Sequence, residues 1–209
     1  MKIIQLIILG LIICSCNNGS KKKDVNLESE TETIKTEKEI VKNLDPKFAT
    51  YLNKIDTLSL PQNIACFDLN KYELYENYKH LIDTTFSSEE ETPYRRIKTN
   101  APYEIVVYLA PADILIPIVK TFSLEGKEIS TLQLFTNCGG EPGFKARQFV
   151  EIQNNRRIVH IDSTWTWEVD EEYKEIDSTE KIKVTRTTYR IEKSGFIKKE
   201  ESTVHNTRS

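Results

Sequence analysis

From Pro102 to about residue 201 the apolar residues of this chain tend to recur at every second position, and that period limits the fold more than any other feature. Successive side chains of a strand point to opposite faces, so a period of two reads as half-buried sheet. Tyr103, Ile105, Val107 and Leu109 alternate with Glu104, Val106, Tyr108 and Ala110. Ile114, Ile116 and Ile118 follow, and Pro117, which has no amide to donate, puts that strand at an edge or on a bulge. Glu125-Gly126-Lys127 turns the chain, Leu132 and Leu134 open another strand, and Phe144 to Ile152 ends at the Asn154-Asn155 turn. Val159, Ile161, Trp165, Trp167 and Val169 then share one face, opposite His160, Asp162, Thr164, Thr166 and Glu168. Lys181 to Glu192 and Phe196 to Glu200 form the last pair, joined by Ser194-Gly195. Ile182 and Val184 lie on one phase and Tyr189 and Ile191 on the other, which predicts a bulge near Arg186 to Thr188. Strands joined by short polar turns predict an antiparallel meander.

Upstream the period lengthens. Asp45-Pro46 has the form of a helix start, with Asp as cap and Pro preorganised at the first helical position. Phe48, Tyr51, Leu52, Ile55 and Leu58 recur at three- and four-residue intervals, which predicts a helix over 46–57 ended by Pro61. Leu74, Tyr75, Tyr78, Leu81 and Ile82 predict a second helix over 69–82, and Ser87 to Lys98 reads as a charged loop. The expectation is a single α+β domain over residues 45–209, with two N-terminal helices followed by an antiparallel β-meander sheet over about 102–201.

Charge bears on partners. Lys and Arg number 29 against 32 Asp and Glu, a net of −3, whereas nucleic-acid binders draw much of their affinity from a basic excess. No nucleic-acid partner is expected. Seven glycines and one methionine in 209 residues argue against Gly-rich phosphate cradles and Met-rich adaptable surfaces.

The N-terminus carries the most specific signal. Lys2 precedes an apolar run from Ile3 to Ile13, the length of a signal-peptide core and well short of the roughly 20 residues that span a bilayer. The run ends in Ile13-Cys14-Ser15-Cys16, which resembles the bacterial lipobox: an aliphatic residue, a spacer, a small residue and the acceptor Cys. The resemblance implies that residues 1–15 are a signal peptide and that Cys16 carries a diacylglyceryl group on its sulfur, followed by N-acylation. Two or more acyl chains hold a protein firmly to a membrane. An uncleaved anchor or an unlipidated secretory signal is the alternative. Residues 17–44 are mostly polar and charged, so residues 16–44 read as the lipidated Cys and a flexible tether. Asn17 is not the acidic residue associated with inner-membrane retention, which favours the outer membrane, facing the periplasm, with surface exposure as the alternative. Over most of residues 60–200 the body is similar to small β-rich lipoproteins of the Bacteroidota, a likeness that implies no activity.

Candidate sites in the body are few. With Cys16 lipidated, Cys66 and Cys138 remain as a disulfide pair or as two separate thiols. Asn137-Cys138-Gly139-Gly140-Glu141-Pro142-Gly143 forms a shaped turn, and Gly139 and Gly140 are candidate ligand contacts. The stretch lacks the Lys-Ser/Thr and helix of a phosphate loop. Trp165 and Trp167 either join the core through the face shared with Val159, Ile161 and Val169, or form an aromatic platform for sugar rings. Asp170, Glu171, Glu172, Glu175, Asp177 and Glu180 gather at a hairpin end with no spacing that matches a calcium loop. His80, His160 and His205 form no zinc pattern, and no serine sits in a nucleophile elbow. No cofactor, metal site or catalytic residue is expected. Three functions follow: a non-enzymatic envelope interaction or structural lipoprotein, a glycan- or small-ligand-binding lipoprotein, and a hydrolase with a site assembled from distant residues.

Overall fold

The computed structural model describes residues 43–69 and 72–208; the expected signal segment, Cys16 and the expected tether up to residue 42 lie outside the described residues. The Asp45 carboxylate accepts the Lys47 and Phe48 amides at 2.9 and 3.1 Å, so helix α1 (Pro46–Leu52) starts where its cap predicts. It stops short of residue 57 for a tertiary reason. The Arg96 amide donates to the Asp56 carbonyl and the Leu58 amide to the Arg96 carbonyl, both at 2.8 Å. Residues 56–58 are thereby held extended along a sheet edge, where a helix cannot continue.

The remaining elements are β1 (Gln62–Ala65), α2 (Tyr72–Tyr78) with a 3₁₀ turn at Lys79–Leu81, β2 (Thr92–Ile97), β3 (Glu104–Ala110), β4 (Ile116–Phe122), β5 (Glu128–Gln133), β6 (Gly139–Glu141), β7 (Phe144–Ile152), β8 (Arg157–Val169), β9 (Glu175–Ile191) and β10 (Ile197–Arg208). They form two antiparallel sheets. One is the meander β2-β3-β4-β5; the other runs β1-β7-β8-β9-β10, with β6 paired to β7.

Strand β3 serves two cores. Ile105 and Val107 pack with Ile64, Val150, Ile152, Ile158 and Ile191 of the six-stranded sheet. Val106 and Tyr108 pack on the other side with Phe48, Tyr51, Leu52 and Ile55 of the α1 segment. The smaller sheet is covered on both faces, which is why β3 is apolar at nearly every position. Its charges are internally paired. Arg96 donates to the fully buried Glu104 carboxylate at 3.0 and 3.1 Å. Lys120 meets Glu91 at 2.7 Å and Glu128 at 2.9 Å. Burial opposes the Lys120 charge, but the two carboxylates outweigh it and hold its pKa above the ordinary lysine value.

These findings correct the expected α+β class. The described chain is mostly β, in two sheets, and its two α-helices have seven residues each. The helix predicted over 69–82 is confined to 72–78, and the expected loop at 87–98 contains β2, whose Arg95 and Arg96 are tied to Tyr78 and Glu104. The first strand lies at 62–65, between the helices, and the last runs to Arg208. β9 carries no bulge at 186–188. The irregularity falls on its partner, between Lys199 and Glu201, opposite Tyr189 and Thr188. Ile182 and Val184 therefore face one side of the sheet and Tyr189 and Ile191 the other.

Candidate functional site

Gln148 on β7 is almost completely buried, and its backbone and side chain hold together two segments that are distant in sequence. Its Oε1 accepts the Thr136 and Asn137 amides at 2.7 and 3.1 Å, and its Nε2 donates to Thr136 Oγ1 at 3.1 Å. Its backbone carbonyl accepts the Cys66 amide at 2.9 Å, where the chain leaves β1. The Cys66 and Cys138 segments thus converge, and the two residues form a disulfide pair with Cα atoms 6.0 Å apart.

Each cysteine is followed by a residue of the same cleft. Phe67 comes after Cys66 with a left-handed φ of 72°, a conformation that costs a non-glycine residue roughly 1 kcal/mol. Gly139 and Gly140 follow Cys138 and open the short β6–β7 hairpin. Gly139, at φ 150°, has a backbone that other residues rarely adopt. The hairpin turn rests on β8: the Trp167 amide donates to the Gly143 carbonyl at 2.9 Å, and a Cβ on Gly143 would stand 3.0 Å from the Trp167 carbonyl.

The result is an open cleft of about 470 Å³ lined by Phe67, Gly139, Gly140, Glu141, Phe144, Lys145, Arg147, Trp167 and Glu175. That volume suits a small ligand or one unit of a longer one. Arg147 stacks its guanidinium over the Phe67 ring at 4.7 Å, and Lys145 lies 5.6 Å from the centre of Trp165. Glu175 accepts the Gly143 amide at 3.3 Å. The cleft therefore combines aromatic surface, two cations and two carboxylates. Such a set stacks on the C–H face of a ring while donating to and accepting from hydroxyl groups around it. No imidazole, thiol or hydroxyl side chain is among the lining residues.

The predicted sites fare unequally. Gly139, Gly140 and Trp167 are brought together. Trp165 does not line the cleft; both tryptophans are half-buried, and Trp165 lies on the face of β8 opposite to core residue Ile158. The face shared by Val159, Ile161 and Trp165 is thus the outer face of the sheet, not the one that meets β3. Of the acidic hairpin residues, Glu175 joins the cleft, while Asp170 accepts the Glu172 and Lys174 amides of its own turn. Among the described residues no group of three or more His, Cys, Asp or Glu is placed to hold a metal. His160 shares a face with Asp162; its Nε2 and an Asp162 carboxylate oxygen are buried without a partner. Burial lowers the His160 pKa below the ordinary value, and Asp162 opposes that shift.

Phe67, Phe144, Lys145, Arg147 and Gln148 are the site residues that sequence reasoning missed. Phe67 alone had a signal, its position next to a candidate disulfide cysteine. Comparison with protein families, curated proteins and solved structures finds no match to this chain.

Proposed function

We propose that this chain is a lipid-anchored lipoprotein of the cell envelope whose body is a non-enzymatic binding module, with saccharides as its ligand class. The observation that carries the reading is the convergence of Trp167, Phe67 and the Gly139–Gly140 hairpin on one open cleft that also holds Lys145, Arg147, Glu141 and Glu175. Open aromatic clefts with charged rims suit ligands that are flat, polyhydroxylated and weakly hydrophobic on one face. The cleft favours ligand binding over a purely structural role, and its lining holds no Ser, Thr, Cys or His to serve as hydroxyl or thiol nucleophile or as imidazole base.

The anchor rests on Ile13-Cys14-Ser15-Cys16, and the disulfide pair fits an oxidising space outside the inner membrane. With Asn17 after the lipid-bearing residue, the address is the outer membrane, facing the periplasm. A glycan array probed with the full chain tests the ligand class. Binding to saccharides that is lost in Trp167→Ala supports it, and an array on which nothing binds rejects it. Labelled palmitate incorporated by the chain but not by Cys16→Ser tests the anchor separately.

A further inference from the structure

At the opposite end of the six-stranded sheet, roughly 25 Å from the cleft along β7, the Gln153–Arg157 turn faces the β9–β10 hairpin across a second groove, of about 540 Å³. Arg156, Arg190, Lys193, Lys198 and Lys199 line it, against the carboxylates of Glu192 and Glu200. Five cations to two carboxylates is a local excess of positive charge in a chain whose net charge is −3.

Both carboxylates are already engaged. Glu200 receives Arg157 at 3.2 Å and Arg190 at 3.3 Å, and Glu192 faces Lys198 at 3.9 Å. Arg156 reaches only the Tyr103 phenol, at 3.5 Å, and Lys193 and Lys199 meet no carboxylate among the described residues. Three cations are therefore uncompensated on the walls of one concavity. The walls are fixed: the Ile191 amide donates to the Arg156 carbonyl at 2.9 Å, and buried Thr121 donates its hydroxyl to the Gly195 carbonyl at 2.7 Å. Arg156 itself holds a left-handed φ of 65° that turns its segment toward the hairpin.

We propose that this groove is a binding site for a phosphate-bearing anion, with Arg156, Lys193 and Lys199 supplying the charge. A guanidinium forks onto two phosphate oxygens, and two mobile ammonium groups complete a cage for a dianion. The site is separate from the cleft and does not depend on what the cleft binds. The phosphate can be soluble or can be a lipid headgroup. The headgroup source has a geometric argument that rests on the proposed anchor: the described chain begins at Asn43, and the Asp45 amide donates to the Leu124 carbonyl, three residues beyond the Thr121 that holds Gly195.

The test uses the full chain in neutral detergent, titrated with sodium pyrophosphate by calorimetry at low ionic strength, and flotation with phosphatidylcholine vesicles with and without added phosphatidylglycerol. The triple variant Arg156→Ala, Lys193→Ala, Lys199→Ala is expected to lose at least tenfold in affinity with an unchanged melting temperature, and Glu192→Gln is expected to bind more tightly. Pyrophosphate binding that follows this pattern identifies a soluble source; enhanced flotation with phosphatidylglycerol that follows it identifies a headgroup. Binding of neither, or binding indifferent to all four substitutions, overturns the proposal.

Discussion

Cys66 and Cys138 stand 72 residues apart in sequence and 6.0 Å apart between Cα atoms, and each directly precedes a wall of the cleft, Phe67 on one side and Gly139 on the other. The pair therefore does more than close a loop. It sets the spacing of the two segments that make the binding surface.

A closed loop of that length stabilises a domain by about 4 kcal/mol in the chain-entropy treatment. Cys66→Ser with Cys138→Ser is expected to lower the urea midpoint substantially and to weaken ligand binding at the cleft as well. Denaturant curves of wild type with and without reductant check the first part. Identical curves, with two alkylatable thiols in the native chain, would contradict the pairing.

Gln148 is the second fastener. Replacing it with Leu keeps its volume but strands the Thr136 and Asn137 amides, and an unsatisfied buried group costs about 1–3 kcal/mol. The loss should appear as reduced stability with faster hydrogen exchange at residues 136–138, while α1 exchanges as before. Uniform loosening of the whole chain would argue against a local fastening role.

The buried ion pair behaves differently. Arg96→Ala deprives the fully buried Glu104 carboxylate of its guanidinium, and breaking such a pair from one side costs about 3–5 kcal/mol. Arg96→Ala combined with Glu104→Leu should recover most of that loss. Equal destabilisation in the single and double variants would contradict the assignment.

His160 makes stability depend on acid. Burial holds its folded pKa below the ordinary value of 6.5, with Asp162 opposing. The unfolded chain takes up that proton first, so the contribution is complete above the unfolded pKa and is lost as pH falls through the folded one. Urea midpoints at about pH 8 and pH 5.5 should diverge less in His160→Asn than in wild type, in keeping with that linkage. Equal divergence would show that His160 does not titrate with folding.

Much of the strand pattern is legible in sequence because β7 alternates regularly, β3 is a continuous apolar run, and polar turns bound the strands. The first helix is shorter than its period predicts because α1 is cut short by pairing of residues 56–58 with Arg96, a contact that has no local signal. β2 was hidden for a related reason: Arg95 and Arg96 look like solvated loop charges until Tyr78 and Glu104 are placed beside them. For Trp165 the core and platform readings both stay open in sequence, because two stacked sheets give the six-stranded one two faces, and period alone cannot say which meets the other sheet. At the site, the Gly139–Gly140 turn and Trp167 could be nominated, but Lys145, Arg147 and Gln148 are ordinary strand residues until the hairpin brings them together.

The most direct measurement follows the two tryptophans separately as a saccharide identified on the array is titrated in. Trp167 lines the cleft, whereas Trp165 lies outside it beneath Lys145. Fluorescence of Trp165→Phe should therefore respond to ligand as wild type does, and Trp167→Phe should lose the response along with at least tenfold in affinity. A saccharide that binds equally well without Trp167, or that is sensed only by Trp165, would contradict the cleft as the binding site.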